Sequence, residues 1–322
     1  MILRLNRFLI IIIYINILNE MKDYKLIAPL LFVYRLIKKN ISIFLGTYFP
    51  RIQAKRVYRN ILHRDLNLIE PRDLNEKINW LKFYGNTSEW TLLADKYRVR
   101  EYVISKGLEE ILPKLYGVWN SVNDINLDQL PKKFVLKTNH GCGSIIIVPD
   151  KDKFNFEEAK VKLQTWLRNK FGALTAEPHY LKIKPCVIAE ELLENTCSVS
   201  SSIVDYKIWC FDGTPYCIQV CANRQIGVKT EMSFYTLDWE IISDINSGSH
   251  KNDYVIVPKP ASLNLMLNYS SILSKGHPQV RIDFYDVDGK VFFGEMTFTS
   301  LGGYMDYISC DYLQKMGALT KL

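Results

Sequence analysis

VRIDFYDVDGKVFFGEMTFTSLGGY, residues 280–304, is the most informative part of this chain. Two runs rich in β-branched and aromatic residues flank Asp288-Gly289, and an Asp-Gly pair between such runs is the strongest short-range signal for a β-hairpin. Strand side chains alternate between two faces. Asp283 on the first strand and Glu295 on the second are therefore predicted to face each other across the hairpin.

This pair of carboxylates suggests a metal site. Like charges directly opposite each other on neighbouring strands repel. A hard cation such as Mg²⁺ would relieve the repulsion, because it takes oxygen ligands and bridges carboxylates to nucleotide phosphates. Arg281 shares the face of Asp283 and could hold a phosphate oxygen. The alternative is an amphipathic surface hairpin whose polar face happens to be charged.

Length and cysteine usage limit the class of protein. At 322 residues with 48% apolar content, the chain can bury a large core, and two lobes are predicted. The seven cysteines show no paired C-x-x-C spacing. Free thiols in a reducing cytoplasm are therefore expected, rather than zinc or a disulfide framework.

Positive charge is concentrated near the N-terminus. Residues 24–64 contain nine Lys and Arg and no Asp or Glu, interleaved with apolar runs. This pattern predicts one or two basic amphipathic helices and suits an anionic membrane surface or an acidic lipid-linked substrate. The alternative is a helix docked on the protein with a solvated basic face. No nucleic-acid partner is expected.

Residues 8–18 form an apolar run that is difficult to assign. As a helix it would reach only ~16 Å, at about 1.5 Å per residue, against a hydrocarbon core of ~30 Å. It also lacks the small-residue cleavage site of a signal peptide. A start at Met21, with residues 1–20 untranslated, is preferred to a membrane span.

The remaining pattern is that of an α+β fold, with antiparallel strands and segregated helices. Asp73 with Glu76 three residues later predicts a helix start. Further helices are expected over residues 94–105, 156–171 and 261–275. Strands are expected over residues 113–119, 134–136, 145–148, 187–192, 204–211, 215–222, 233–238, 281–286 and 291–298.

Three segments carry further candidate binding residues. Lys137 ends an apolar strand beside Gly141, Gly143 and Ser144, whose backbone N–H groups could fold over phosphates. Lys207 lies in an apolar strand, so it either faces a cleft or pairs with Asp205. Glu190 and Glu191 are adjacent in a strand and cannot both point inward.

Together these motifs resemble the TupA-like branch of the ATP-grasp family. The Arg281-Ile-Asp283 strand, the Glu295-Met-Thr297 strand and the Gly302-Gly303 loop are similar to the family's R-x-D strand, E-x-N strand and glycine turn. Four segments fit in the same order, and they surround Lys96, Lys137, Glu190 and Lys207. The resemblance covers roughly residues 75–303. Thr297 stands where many members have an Asn, which affects coordination of a second metal.

The resemblance implies an ATP-grasp fold whose two lobes clasp a nucleotide. It implies an ATP-dependent carboxylate–amine ligase of capsule or exopolysaccharide biosynthesis, cytoplasmic or peripheral on the inner face of the membrane. The substrates would be an acidic sugar or glycan acceptor and an amine donor. The implied domains are a basic helical region (1–65), a helical region (66–115), a small lobe (116–190) and a large lobe with the metal site (191–322).

The resemblance also assigns roles to residues. Arg281 and Lys207 are the implied catalytic residues, and Mg²⁺ would be held by Asp283, Glu295 and Thr297. ATP would be bound by Lys96, Lys137, Gly141, Gly143, Ser144, Glu190, Glu191, Leu192, Glu194 and Lys207.

Two other functions stay open at this stage. A glycosyltransferase would also serve polysaccharide synthesis, and Asp150-Lys-Asp152 and Asp286-Val-Asp288 are loose D-x-D patterns for a metal-bound sugar nucleotide. A non-catalytic assembly protein at the membrane surface would explain the basic N-terminus but not Arg281, Asp283 and Glu295.

Overall fold

The computed structural model describes residues 24–224, 230–246 and 255–322. Predictions about residues 1–20, including a start at Met21, lie outside these ranges. All seven cysteines fall within them and are free thiols, as predicted; four are buried as expected, whereas Cys142 and Cys310 are exposed and Cys197 is half-buried. The domain boundaries at residues 65, 115 and 190 stay predictions.

The basic N-terminal region forms two helices, α1 (Tyr24–Tyr48) and α2 (Pro50–Leu62), as the pattern predicted. Pro50 suits the first position of a helix because its fixed φ is helical and its missing N–H needs no partner there. Ala54 and Tyr58 on α2 pack with Ala176 and Tyr304 in a small apolar cluster. Within the described ranges, no helix is long and apolar enough to cross a bilayer.

The predicted helix start at Asp73 is confirmed. Its carboxylate accepts a hydrogen bond of 3.0 Å from the N–H of Glu76, at the N-terminus of α3 (Leu74–Tyr84). Two short helices follow, α4 (Trp90–Leu93) and α5 (Val99–Ser105).

The helix predicted over residues 94–105 is therefore shorter than expected. The carboxylate of Asp95 accepts hydrogen bonds from the N–H groups of Tyr97 (2.9 Å) and Arg98 (3.2 Å). These bonds hold a turn, because an Asp side chain competes with helical hydrogen bonding. Lys96 consequently lies on this turn and not on a helix.

The small-lobe sheet consists of four antiparallel strands: β1 (Leu115–Trp119), β2 (Phe134–Thr138), β3 (Ile145–Val148) and β4 (Val187–Glu190). Their order is β1-β4-β2-β3. Helix α6 (Phe156–Leu167) ends four residues before the predicted 171 and covers one face of the sheet, where Leu163 packs with Leu136 and Val187. We call the face opposite α6 the open face.

The large-lobe sheet consists of five antiparallel strands in the order β7-β6-β5-β8-β9. They are β5 (Asp205–Phe211), β6 (Thr214–Ala222), β7 (Glu231–Tyr235), β8 (Val280–Val287) and β9 (Lys290–Thr297). Helix α7 (Leu263–Ser274) covers one face, with Met266 and Leu273 in the main core. Helix α3 and the C-terminal α8 (Cys310–Leu319) cover part of the other face. Fully antiparallel sheets with segregated helices confirm the α+β class.

Candidate active site

The hairpin β8–β9 has the predicted register. Asp283 pairs directly with Glu295, and the register then shifts by one residue, so that Phe284 pairs with Phe293. Gly294 is the extra residue of this bulge, and a Cβ there would lie 3.0 Å from the carbonyl oxygen of Asp283. A bulge redirects neighbouring side chains, and here it lies directly beside the two carboxylates.

Asp283 is already neutralised by two buried cations. Arg281 donates from Nε to Oδ1 (2.7 Å) and from Nη2 to Oδ2 (2.8 Å), and Lys207 Nζ also donates to Oδ2. The alternative partner of Lys207, Asp205, is farther away at 3.6 Å. Lysine and arginine side chains of the protein itself therefore offset the repulsion between the two carboxylates.

Glu295 is held by a third cation. Lys96 Nζ lies 3.1 Å from its Oε2, and Thr297 donates its hydroxyl to Oε1 at 3.0 Å. Burial opposes ionisation of Glu295, but the positive charges of Lys96, Lys207 and Arg281 outweigh burial and hold its pKa well below the usual range. Glu295 is thus a carboxylate throughout the neutral pH range.

Lys96 connects the hairpin to the glycine loop of the small lobe. Its Nζ also donates to the carbonyl oxygen of Gly141 at 2.8 Å. Burial favours the neutral amine, but the charge of Glu295 more than compensates and raises the pKa of Lys96. One ammonium group therefore joins the two lobes at the carboxylate pair.

The glycine loop is shaped for close approach by a ligand. Gly143 has φ +73°, and a Cβ there would meet no atom within 4 Å, so the loop is open on that side. Cys142 and Gly143 are exposed and Ser144 is half-buried, whereas Gly141 packs against Phe171. Exposed backbone N–H groups without bulky side chains suit an anion.

The small lobe contributes a separate ion pair. Lys137 Nζ contacts Oε2 of Glu190, and Arg100 Nη1 lies 3.3 Å from Oε1 of the same carboxylate. Glu190 is buried, whereas Glu191 is half-buried and accepts a hydrogen bond of 3.3 Å from the N–H of Lys114. Only one of the two glutamates points inward, as predicted.

Two further residues after β4, Leu192 and Glu194, were also predicted to bind ATP. Leu192 is half-buried. Glu194 is exposed and pairs with Lys133. Its predicted contact with ribose stays a prediction.

The open face also has an apolar part, which was not predicted from the sequence. Val135 pairs with Ile147 and Lys137 pairs with Ile145, so the four side chains share one face. Ile145 and Ile147 are exposed there despite their size. The sequence gives no sign of which side chains of this strand are exposed, because all four residues of the run Ile145-Ile-Ile-Val148 are apolar. Arg100 was missed as well, since its contact with Glu190 spans ninety residues.

The loop after β9 is attached to the same cluster. Arg281 Nη1 lies 3.3 Å from Ser300 Oγ. Beneath the loop, Lys82 Nζ donates to the carbonyl oxygens of Gly302 (2.7 Å) and Thr175 (3.3 Å). Burial lowers the pKa of Lys82 to about 7. The glycine turn is thus held from below by a buried amine.

The donor chemistry of the hairpin fits Mg²⁺. Oδ1 of Asp283 and Oε2 of Glu295 each have one contact with a cationic side chain, which leaves a lone pair on each oxygen. No group of three or more acidic, His or Cys side chains that could hold a metal exists in the described ranges. Two carboxylates completed by phosphate oxygens and water are the usual environment of Mg²⁺ beside a nucleotide.

This combination of two lobes, glycine loop and carboxylate hairpin defines an ATP-grasp protein. The chain belongs to the TupA-like ATPgrasp family, whose model matches residues 76–321. The resemblance noted in the sequence is thereby confirmed. A comparison with curated protein sequences gives no match.

Several solved ATP-dependent ligases are similar in structure. The D-alanine–D-alanine ligase from Bacillus anthracis complexed with ATP is 17% identical, with 83% of this chain and 73% of that chain covered and a TM-score of 0.43. Another structure of that ligase is 18% identical, with 71% of this chain and 66% of that chain covered and a TM-score of 0.40. The D-cycloserine synthetase DcsG is 13% identical, with 84% of this chain and 80% of that chain covered and a TM-score of 0.42. The chain thus spans about two thirds of the first ligase's length in one of these comparisons.

Proposed function

We propose that this protein is an ATP-dependent carboxylate–amine ligase. The observation that supports the proposal most is the buried cluster on β5, β8 and β9, in which Lys207 and Arg281 flank Asp283 while Lys96 connects Glu295 to the glycine loop. Such a cluster has both the cations for a triphosphate and the carboxylates for its metal ion. Family membership points the same way.

The chain's cations would position and neutralise the phosphates. Lys137 would approach them from the small lobe, and Lys96, Lys207 and Arg281 from the large-lobe side. Gly141, Gly143 and Ser144 would cover them with backbone N–H groups. Each of these cations is paired with a carboxylate, Lys137 with Glu190, Lys96 with Glu295, and Lys207 and Arg281 with Asp283. Phosphoryl transfer needs little else from the protein.

The reaction would proceed in two steps. An oxygen of the acceptor carboxylate attacks the γ-phosphorus, and the bond to ADP breaks, which leaves an acylphosphate. The amine nitrogen then attacks the acyl carbon, phosphate leaves with the bonding electrons, and the nitrogen loses a proton. Arg281 and Lys207 are the residues proposed to offset the negative charge on the transferring group.

Asp283 and Glu295 would hold Mg²⁺, which would supply charge neutralisation at the phosphates. Thr297 is the third proposed metal-site residue, and its hydroxyl orients Glu295 by a hydrogen bond of 3.0 Å. Glu190, Glu191 and Leu192 would frame the adenine, with Glu194 proposed for the ribose.

For the substrates, we propose an acidic sugar or glycan precursor and an amine donor, in capsular or exopolysaccharide synthesis at the inner face of the membrane. The rival reading as a glycosyltransferase has less support. In its two D-x-D patterns, Asp150 accepts a hydrogen bond from the N–H of Asp152 (3.2 Å) before a short 3-10 helix, and Asp286 at the end of β8 accepts one from the N–H of Gly289 (3.0 Å) in the hairpin turn.

The proposal is tested by incubating the protein with ATP, Mg²⁺ and pooled uronic acids and amines. Mass spectrometry should find ADP and a product heavier than the acid by the amine less one water. The Asp283→Asn variant should give neither. Formation of AMP, or release of a nucleoside diphosphate from a sugar nucleotide, would contradict an acylphosphate ligase.

Nucleotide binding can be tested without knowing the substrates. Cys142 in the glycine loop and Cys310 on α8 are both exposed thiols. MgATP should slow alkylation of Cys142 and leave Cys310 unaffected. Equal alkylation rates with and without MgATP at Cys142 would place the nucleotide elsewhere.

A further inference from the structure

The bend between α1 and α2 exposes a cluster of apolar side chains. We call Phe44, Tyr48, Phe49 and Ile52 the aromatic elbow; they are 49–64% exposed. The ring of Phe44 lies 5.1 Å from that of Tyr48 and 5.9 Å from that of Phe49. The three rings therefore pack on one another at the surface and not into the core. Contiguous exposed apolar surface of this kind marks an interaction site.

The apolar surface continues along α1. Val33, Ile37 and Ile41 are exposed, and their spacing of four residues extends the side of the helix that holds Phe44 and Tyr48. Phe32 and Leu36 widen it. The result is an amphipathic helix with no partner on its apolar side within the described residues.

The charges around the aromatic elbow have one sign. Arg35, Lys38 and Lys39 on α1 and Lys55 and Arg56 on α2 form no ion pair with other described residues, and no acidic residue occurs between positions 24 and 64. The three remaining arginines there each have a partner: Arg51 donates to the hydroxyl of Tyr84 at 3.4 Å, Arg59 pairs with Asp65, and Arg64 pairs with Asp73 and Glu76.

The sign of these charges indicates the occupant. A second copy of the chain docked through the same surface would bring two acid-free basic surfaces together, which costs electrostatic free energy. An anionic bilayer would instead attract the basic side chains and accept the aromatic rings at its interface. We propose that the aromatic elbow and α1 dock the protein on an anionic lipid bilayer.

The docking surface is fixed rigidly to the body that contains the candidate active site. Gly46 on α1 packs so closely that a Cβ would lie 1.6 Å from the carbonyl oxygen of Ala173, and Gln53 Nε2 donates to the carbonyl oxygen of Leu174 at 2.8 Å. The same segment contacts Lys82 beneath the glycine turn through Thr175. Docking would therefore hold the site at a constant position relative to the membrane, and on the proposed ligase function the acceptor would be a lipid-linked acidic glycan.

The test is co-sedimentation of the full-length protein with vesicles. Vesicles containing phosphatidylglycerol should bind the protein at ~0.1 M salt, and binding should be largely lost at ~1 M salt, where the Debye length falls from ~10 Å to ~3 Å. Pure phosphatidylcholine vesicles should bind at least about tenfold less. Equal binding to both lipids would overturn the proposal.

Two variants locate the surface. Phe44→Ser with Phe49→Ser removes the rings, and Lys38→Glu, Lys39→Glu, Lys55→Glu and Arg56→Glu together reverse the charge. Each should weaken vesicle binding by about tenfold or more. The control is Ile69→Ser with Val161→Ser, which removes two apolar side chains that are even more exposed (92% and 67%, against 53% for Phe44 and 49% for Phe49) but lie outside the surface, and it should change nothing.

The remaining outcomes are also decisive. If vesicle binding persists in both variants, residues 1–23 hold the protein on the membrane and the aromatic elbow does not. If sedimentation velocity shows a dimer that Phe44→Ser with Phe49→Ser dissociates, the occupant is a second copy. ATP affinity should be unchanged in every variant, so failure of the docking proposal is distinguishable from failure of the proposed ligase function.

Discussion

The open face of the small-lobe sheet and the charged face of the large-lobe sheet differ in how they use polar groups. On the open face, the pair Lys137–Glu190 lies among aliphatic side chains such as Ile145 and Ile147. On the large-lobe face, Lys207, Arg281, Asp283 and Glu295 form a continuous network of ion pairs.

The difference separates two recognition tasks. An aliphatic surface with one ion pair suits the flat, apolar ring of a base, because burial of apolar area is non-directional. A dense network of charge-assisted hydrogen bonds suits phosphates and a metal ion, because such bonds depend on geometry and charge. If the two faces have these different tasks, substitutions on each face should affect different steps of ligand binding and catalysis.

The largest effect is expected at the two hairpin carboxylates. Asp283→Asn should reduce turnover by at least about 100-fold. It should also destabilise the fold by ~3 kcal/mol, because Lys207 and Arg281 lose the buried carboxylate that they share. Glu295→Gln should abolish turnover equally but cost less than about 1 kcal/mol, because its side chain is 34% exposed. Activity assays and urea unfolding give the two readouts.

Asp288→Asn in the turn of the same hairpin is the control, since this carboxylate is exposed and makes none of the ion pairs of the cluster. It should leave turnover and stability near wild type. Full turnover in either carboxylate variant would contradict the proposal that Asp283 and Glu295 hold Mg²⁺. Equal loss of stability in both variants would show that the carboxylate of Glu295 is as buried as that of Asp283.

The two lysines test whether both faces contact the phosphates. Lys137→Ala and Lys207→Ala each remove a charge-assisted contact of roughly 1.5–3 kcal/mol, so each should weaken ATP binding about tenfold or more by calorimetry. Lys153→Ala, an exposed lysine on the small lobe, is the control. Unchanged ATP affinity in both variants would refute a clamp formed from two lobes.

The aliphatic part of the open face can be tested separately. Ile147→Ser should weaken ATP binding by about threefold to tenfold through loss of apolar contact and should leave binding of inorganic tripolyphosphate unchanged. Val161→Ser on α6 is a matched control, because it is similarly exposed (67% against 59%) on the opposite side of the same lobe. An equal loss for both ligands would mean that Ile147 acts on the phosphates.

The smallest effect is the acid dependence of stability at Glu295. Its folded-state pKa lies below the unfolded value, so its contribution is fully present above the unfolded pKa of ~4.3 and is lost as the pH falls through the folded pKa. The difference in urea midpoint between wild type and Glu295→Gln should therefore shrink as the pH falls below ~4. If the difference in urea midpoint grew on acidification, the pKa of Glu295 would be raised in the folded state and not lowered.

Much of the fold was predictable because its signals are local. The Asp288-Gly289 turn and the alternation on either side predicted the hairpin and the pairing of Asp283 with Glu295. The N-terminal cap at Asp73 and the two basic helices were also predicted correctly. The start of α5 was not, since the side chain of Asp95 stabilised a turn where the apolar spacing favoured a helix.

The partners of the charged groups were less predictable. Lys207 was expected to pair with Asp205 or to face a cleft; it lies 3.6 Å from Asp205 and also contacts Asp283, which is 76 positions away in the sequence. Arg100 and Glu190 meet over a similar separation. No local pattern encodes such contacts, because they depend on strand order and on the reach of long side chains.

Most helices and strands, the facing carboxylates and the family could be read from short stretches of sequence, since turns, alternation and motif order are local properties. Three features depend on how the whole chain packs: the carboxylates are neutralised by Lys96, Lys207 and Arg281, Ile145 and Ile147 are left exposed beside Lys137, and the rings at the bend of α1 and α2 face outward. The physical reason is that charge compensation and exposure depend on which distant surfaces meet, and burial is settled only when the whole chain has packed.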